Sequence, residues 1–347
     1  MRALTISAHG GLEQLVVRDD LPIPALSNPT DVRVRIRCAA LNHLDLFVVE
    51  GLPGVTITPP WIMGGDGAGL VDAVGDGVEG VAIGARVIIN PGISDRTCEY
   101  CRIGEHSLCV RYRLLGEHLP GTIADYVVVP AANLRVIPDS IAWDAAAAFT
   151  LATLTAWRMV VTRAQLRDRE NVLVWGAGGG VAAAAVQIAK LQGARVWATS
   201  GSDAKLERAR ELGADELLNH RLLDISKEVR ARTNKRGVDV VIDNVGRDSW
   251  KHSLGALGKR GRLVTCGATS GPMVETDIRR MFWNQWTLMG STMGNDKEME
   301  AITRAFAGGA LVPPVDSVFD LVESRAAFER LASAEQFGKV VIRLSED

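Results

Sequence analysis

Apolar and polar positions change rhythm a little over a third of the way along the chain. Up to about residue 130, short apolar runs are broken by Gly and Pro. Val32-Arg33-Val34-Arg35-Ile36-Arg37 alternates strictly, the period-two signature of a half-buried strand. Gly69-Leu70-Val71-Asp72-Ala73-Val74-Gly75 reads as another strand, and Asp76-Gly77 and Glu79-Gly80 mark turns. These segments predict an irregular antiparallel β-domain. From about residue 140 the texture differs. Asp139-Ser140 is placed to cap an Ala-rich helix from Trp143 to Val161. An apolar run, Val172-Leu173-Val174-Trp175, then leads through a glycine cluster into a helix over 181–192. The run 195–199 precedes a helix over 203–212, and further apolar runs cover 238–243, 262–266 and 287–290. Near-continuous apolar strands alternating with helices predict a parallel sheet covered on both faces. Residues 295–347 return to mixed helix and strand and close on Lys339-Val340-Val341-Ile342-Arg343-Leu344. The expected fold class is α/β, an antiparallel β-domain plus a doubly wound parallel-sheet domain.

Composition narrows the function. A chain of 347 residues is long enough for two domains. Its 39 Lys+Arg and 41 Asp+Glu nearly cancel, with no basic block to grip a phosphate backbone, so a nucleic-acid partner is not expected. Apolar residues at 47% and charged residues at 23% argue against disorder. No apolar run approaches the roughly 18 residues of a membrane span, and the first ten residues read as a strand, not a signal peptide. A cytoplasmic protein acting on a small molecule, away from membranes, is expected. Five cysteines are an odd number for a disulfide framework, but Cys98, Cys101 and Cys109 cluster within twelve residues.

The segment Val174-Trp175-Gly176-Ala177-Gly178-Gly179-Gly180-Val181-Ala182 joins a buried-type strand to a small-residue helix. A dinucleotide fold places its pyrophosphate at such a turn, where backbone N–H groups face the anion and no side chain blocks approach. Gly176, Gly178, Gly179, Gly180 and Val181 are the candidate contacts. The end of the next strand discriminates the cofactor, because an acidic residue there takes the ribose diol of NAD. This chain has Ser200-Gly201-Ser202, with Lys205 following. Hydroxyls and a cation suit a 2′-phosphate, so NADP(H) is expected. Ser202-Asp203 is read as a helix N-cap.

Taken with Ala40-Leu41-Asn42-His43-Leu44-Asp45, Gly64-Gly65-Asp66-Gly67-Ala68-Gly69, Gly121-Thr122-Ile123-Ala124-Asp125-Tyr126, Leu212-Gly213-Ala214-Asp215, Asp239-Val240-Val241-Ile242-Asp243 and Gly267-Ala268-Thr269, the glycine loop resembles the medium-chain dehydrogenase/reductase superfamily. Within it the chain is similar to the quinone oxidoreductase-like branch of the zinc-binding dehydrogenases. The resemblance covers nearly the whole chain. It implies a GroES-like domain over 1–150 and 295–347, with a zinc lobe at about 92–112. It also implies a Rossmann NADP-binding domain over 151–294 and an active-site cleft between the two. Ala182 stands where the family has its last loop glycine.

Alcohol-oxidising members of that family hold a catalytic zinc by Cys, His and Cys or close variants. The corresponding positions here are Asn42, Gly65 and Leu151, and glycine and leucine offer no donor atom. A catalytic zinc is therefore not expected. Cys38 is read as a core thiol, and His43 as a polar contact. Asp95-x2-Cys98-x2-Cys101-x7-Cys109 matches the family's four-cysteine structural-zinc lobe with aspartate in the first place. Zinc accepts a carboxylate oxygen in a closed tetrahedral site. One structural zinc on Asp95, Cys98, Cys101 and Cys109 is expected, with Glu99 and His106 as substitutes and a metal-free, degenerate lobe as the alternative.

By the same resemblance Thr155 stands near the nicotinamide phosphate, or is an ordinary helix threonine. His220 occupies a place where relatives put a tyrosine against the adenosine ribose, or is a surface histidine. Cys266, Gly267, Ala268 and Thr269 end a parallel strand, where backbone should face the nicotinamide. Trp61, Trp283 and Trp286 either line a substrate cleft or fill the core. The expected activity is NADPH-dependent hydride transfer to a quinone or an α,β-unsaturated carbonyl. Asn42 is the candidate polar group facing substrate or nicotinamide, solvent is the proton source, and the protein is a homodimer or homotetramer. The alternatives are a zinc alcohol dehydrogenase with an unusual site and a non-catalytic NADP-binding sensor or scaffold.

Overall fold

The computed structural model describes residues 1–345. The chain separates into two compact units, Met1–Ala152 with the chain from Asn295 onward, and Thr153–Gly294.

In the first unit the alternating segment becomes the long strand Asp31–Ala40, longer at both ends than its alternation suggested. It is the hub of a seven-stranded sheet. Asp66–Val74 and Tyr126–Pro130 pair with it antiparallel, and so does the C-terminal strand Lys339–Arg343. Arg86–Ile89 and Leu134–Val136 extend the sheet beyond Asp66–Val74. One pair departs from the antiparallel pattern. Val315–Asp320 runs parallel to Lys339–Arg343, and the helix Ser324–Ala332 supplies the crossover that a parallel pair requires. Val34, Ile36, Val71, Val87, Val127, Phe328 and Ile342 meet in one buried core. Cys38 lies in this sheet, and burial pushes its thiol up to about 12, as expected of an inert core cysteine.

The second unit is built on six parallel strands. Numbered along the chain as Asn171–Val174, Arg195–Ser200, Glu216–Asn219, Val238–Asp243, Leu257–Thr265 and Thr287–Gly290, they lie in the order 3-2-1-4-5-6. That order reverses beside the first strand, where a Rossmann sheet opens its ligand crevice. Ala182, Ala183, Ala184 and Ala185 are buried on the helix Gly180–Leu191, short enough to bring the helix axis close to neighbouring elements.

Several local expectations differ from the structure. The Ala-rich helix begins at Trp143, and its first turn carries Asp144, whose Oδ1 accepts the Ala145 N–H at 2.7 Å. Asp139 stays exposed in a loose 3.7 Å ion pair with Arg86, and Ala142 directly precedes the helix, so the Asp139-Ser140 cap does not form. The helix is α-helical to Trp157 and continues as a π-helical stretch over Arg158–Arg163. Together these 21 residues are long and apolar enough to cross a membrane by length and composition, which the search for unbroken apolar runs missed. Of their most apolar window, 72% is buried inside the protein, the condition of a core helix.

Candidate functional site

Positions 42, 65 and 151 are far apart in sequence, yet the fold of the first unit brings them together. A Cβ placed on Gly65 would stand 3.4 Å from Leu151 Cδ1, 3.5 Å from the Leu115 carbonyl oxygen and 4.0 Å from Asn42 Nδ2. Asn42 ends the strand-to-helix turn that opens His43–Glu50, and its backbone N–H donates to Asp45 Oδ2 at 2.7 Å. Its side chain is held from two sides. Lys339 Nζ donates to Asn42 Oδ1 at 2.5 Å, and Asn42 Nδ2 donates to Asp66 Oδ2 at 3.1 Å. Lys339 also pairs with Asp66 at 2.9 Å, their side chains 4% and 0% exposed. The other Asp66 oxygen accepts the Leu151 N–H at 2.8 Å. Burial pushes the nearby Asp45 carboxyl up to about 7, against the lowering pull of the Asn42 N–H and the Lys339 charge.

Lys339 enters the sequence reading only as part of a closing motif. Its signal was available: a lysine at the head of a Val-Val-Ile strand has to find a buried counter-charge. His43 sits on the outer face of its helix, edge-on to Phe47 at 6.0 Å between ring centres.

The cysteine lobe belongs to the same unit. One ligand atom each from Asp95, Cys98, Cys101 and Cys109 lies within 4.8 Å of the others. A tetrahedral zinc with bonds near 2.3 Å sets its ligands about 3.7 Å apart, so three thiols and a carboxylate gathered this closely fit the ion. Asp95 is pre-organised for it: its Oδ1 accepts the N–H groups of Thr97 and Cys98, both at 2.9 Å, which hold the carboxyl well below the usual carboxylate range. Cys109 Sγ accepts the N–H groups of Asp95 and Arg111 at 3.2 and 3.4 Å. Burial pushes the Cys101 thiol up to about 12, and a divalent cation would reverse that preference. Neither substitute ligand joins the cluster. His106 turns to Asp296, at 3.7 Å from its carboxylate.

In the second unit the glycine loop joins the first parallel strand to the helix Gly180–Leu191. Gly176 has φ +71°, open to glycine at no steric cost. Gly178 lies in the turn, Gly179 is the N-cap and Gly180 starts the helix, so the N–H groups of its first turn, Val181 included, have no intrahelical partner. Ala177 N–H and Gly176 N–H tie the loop to the O and Oγ1 of Thr199 at 2.8 and 3.3 Å. Ser200 is buried and its Oγ accepts the Ser202 N–H at 3.3 Å. Ser202 occupies the N-cap of Asp203–Glu211 without a side-chain cap bond. Asp203 turns instead to the Asn219 amide at 2.7 Å, because the end of the adjacent strand offers a stronger partner than the helix start. Lys205 is half-buried in the first turn of that helix.

His220 stacks on Trp175 with ring centres 5.8 Å apart, and burial lowers its pKa. Arg221, which sequence reasoning overlooked, is exposed, and its Nε lies 2.7 Å from where a Cβ on Gly201 would stand. Its guanidinium makes no ion pair among the described residues. Thr155 is buried, its hydroxyl 3.7 Å from Met293 Sδ. The fifth strand stops at Thr265, so Cys266 begins the loop after it, its thiol pushed up to about 12 by burial. Gly267 is half-buried, while Ala268 and Thr269 are exposed. A Cβ on Gly267 would meet the Asn244 carbonyl oxygen at 3.0 Å. Trp61 and Trp286 are core residues whose indole N–H groups donate to Gly116 and Gly258 carbonyls at 2.9 Å, whereas Trp283 is 77% exposed.

The two units have the architecture of the medium-chain dehydrogenases/reductases, a mainly antiparallel β-unit and a parallel sheet in the order 3-2-1-4-5-6, and comparison with known proteins agrees. Residues 28–139 match the alcohol dehydrogenase GroES-like domain, and residues 180–308 match the zinc-binding dehydrogenase family. An NAD-dependent alcohol dehydrogenase of Sulfolobus acidocaldarius is 30% identical over 99% of this chain and 100% of its own. An acryloyl-coenzyme A reductase of Metallosphaera sedula is 30% identical over 99% of both. The crystal structure of an NAD-dependent alcohol dehydrogenase superposes with a TM-score of 0.95 at 44% identity, covering 99% of this chain and 100% of the other. The chain belongs to the zinc-binding dehydrogenase family of the medium-chain dehydrogenase/reductase superfamily.

Proposed function

We propose that this protein is an NADPH-dependent reductase of quinones or α,β-unsaturated carbonyls that works without a catalytic zinc. The observation that carries this is the chemistry of the convergent positions. Gly65 itself offers only hydrogen, around it stand the Asn42 amide, the Leu151 isobutyl group and the Leu115 backbone carbonyl, and the carboxylate beside them is paired with the Lys339 ammonium at 2.9 Å. Such a set does not fit zinc. Removing the proton of a simple alcohol needs a Lewis acid or a strong base, and none of these side chains supplies one. A conjugated acceptor takes up the developing charge itself. Asn42 would hold the acceptor's oxygen, and solvent would return the proton. Reduced nicotinamide, when bound, supplies the hydride. The reductase relative named for acryloyl-coenzyme A acts on a conjugated acyl group, which supports the same substrate class.

For the cofactor, the glycine loop would hold the pyrophosphate at the first turn of Gly180–Leu191. Ser200, Ser202, Lys205 and Arg221 would face the 2′-phosphate, with Asp203 tied to Asn219. His220 would lie along the ribose. The lobe would hold one structural zinc. Five free cysteines suit the reducing cytoplasm, and we expect a homodimer or homotetramer there.

Relatives named as alcohol dehydrogenases favour a second reading, zinc-linked alcohol oxidation. Side-by-side turnover decides. We expect quinone or enone reduction to exceed benzyl alcohol oxidation by about a hundredfold or more, the effect of several kcal/mol of missing Lewis-acid activation. Chelator-sensitive alcohol turnover faster than either reduction would overturn the proposal, and nucleotide binding without any turnover would favour a sensor.

A further inference from the structure

Asn42 has an amide whose two ends look alike in shape and differ in hydrogen bonding, and its neighbours dictate which end goes where. Lys339 can only donate, and an ionised Asp66 can only accept. With Lys339 Nζ at 2.5 Å from Oδ1 and Asp66 Oδ2 at 3.1 Å from Nδ2, the amide has one satisfied orientation. A flipped amide would set the ammonium against an NH2 group and the carboxylate against a carbonyl oxygen. Nδ2 carries two N–H groups, and its single hydrogen bond among the described residues is the one to Asp66. The other N–H belongs to an atom 4.0 Å from the space that Gly65 leaves by having no Cβ. Asn42 is 9% exposed, and one of its two amide N–H groups has no acceptor among the described residues, which leaves it available to an acceptor from outside the chain.

We propose that Lys339 is a positioning residue: with Asp66 it locks Asn42 so that the remaining Nδ2–H meets the carbonyl oxygen of the acceptor. This rests on the reductase function proposed above. Reduced nicotinamide, when bound, would supply a hydride to the acceptor's β-carbon; the C=C pair would then form the enolate double bond, the C=O pair would move onto the oxygen, and a solvent proton at the α-carbon would restore the carbonyl. The oxygen is most negative midway, and there the Asn42 N–H, polarised by the ammonium on its own carbonyl, strengthens its bond. The substitute for a metal is thus a lysine acting through an amide.

The test uses the full chain. Lys339→Met would leave Asp66 buried without its counter-charge, which risks unfolding, so it is made with Asp66→Asn as well as alone, beside Lys339→Arg and Asn42→Leu. We expect the Lys339→Met/Asp66→Asn protein to fold, to bind NADPH unchanged and to lose about tenfold in kcat on a quinone or enone, less than the hundredfold typical of deleting a transition-state donor outright. Asn42→Leu should lose more, adding it to the Lys339 variant should bring no further loss beyond Asn42→Leu itself, and Lys339→Arg should recover most of the rate. An independent readout is NMR of protein labelled with ¹⁵N at asparagine: the Asn42 NH2 pair should be slow to exchange in the wild type and fast once Lys339 is Met.

Unchanged kcat in the Lys339 variants of an active enzyme, or losses at Lys339 and Asn42 that multiply, would overturn this proposal alone. A wild type that reduces no member of an acceptor panel would overturn it together with the function. In that event an Asn42 NH2 pair unaffected by Lys339→Met would refute even the locking.

Discussion

The cluster around Gly65 and the lobe around Cys101 lie in the same unit and face one electrostatic problem, acidic groups gathered closely, deeply buried in the first and half-buried to buried in the second. They meet it in opposite ways. Around Gly65 the chain brings its own cation, Lys339, and satisfies Asp66 with the ammonium, the Asn42 amide and the Leu151 N–H. In the lobe, Asp95, Cys98, Cys101 and Cys109 converge within 4.8 Å, and their hydrogen bonds among the described residues include none from a lysine or arginine side chain. Backbone N–H groups stabilise Asp95 and Cys109 there, but no hydrogen bond neutralises four potential anions. The difference teaches how to read a metal motif: what counts is the donor set together with the charge that balances it. A set of acids with an internal cation is complete; a set without one asks for an ion.

Three experiments press on that contrast. The largest effect is expected in the lobe, where Cys101→Ser should drop zinc from close to one per chain to near none and lower Tm, because metal binding and local folding are coupled. Elemental analysis with a thermal melt reads both. Two zinc ions per wild-type chain would erase the contrast, since the second would have to sit at the Gly65 cluster.

Next in size is the phosphate site proposed at the turn beside Gly201. Arg221→Ala should weaken NADPH by about tenfold, about 1.4 kcal/mol, with NADH little changed. Ser200→Asp should shift preference toward NADH by a similar factor through repulsion of the 2′-phosphate. Fluorescence titration with both cofactors measures this, and equal or tighter NADH binding by the wild type would reject the phosphate site.

The smallest effect tests charge balance beside Lys339. Asp45 is pushed up to about 7 from an ordinary 3.8, chiefly by burial, with Asp66 adding to it and Lys339 opposing. A carboxyl raised on folding binds its proton more tightly in the native state. Its contribution to stability is therefore complete below the unfolded value, about 4, and is lost as pH rises through about 7. Asp45→Asn removes that dependence: its Tm should fall less than the wild type's between pH 5 and 8, by a few degrees at most. Parallel melts across that range would check it, and identical slopes would mean that Asp45 is already ionised when folded.

Much of this molecule could be read along the chain because the relevant interactions are local. Strict alternation at Val32–Arg37 marked the hub strand, and the apolar run before Gly176 with small residues after it marked the glycine-rich strand-to-helix turn. The spacing of Asp95, Cys98, Cys101 and Cys109 carried the lobe, since a short loop can close on an ion almost wherever it is placed. Cap positions were harder. Asp139, Ser140 and Asp203 are all suited to helix starts, but a hydroxyl or carboxylate goes to the best partner in reach, and for Asp203 that partner is Asn219 on a neighbouring strand.

What remained for the tertiary structure to decide is the company that buried charge keeps. Asp66 and Lys339 are 273 positions apart and meet only because their strands flank Asp31–Ala40 on its two sides at the same end, beside Ala40. Arg221 reaches Gly201 only because the second and third parallel strands end side by side. Composition and period report whether a residue is buried. Which opposite charge lies within 3 Å of it depends on strand order and register, and those are properties of the folded sheet.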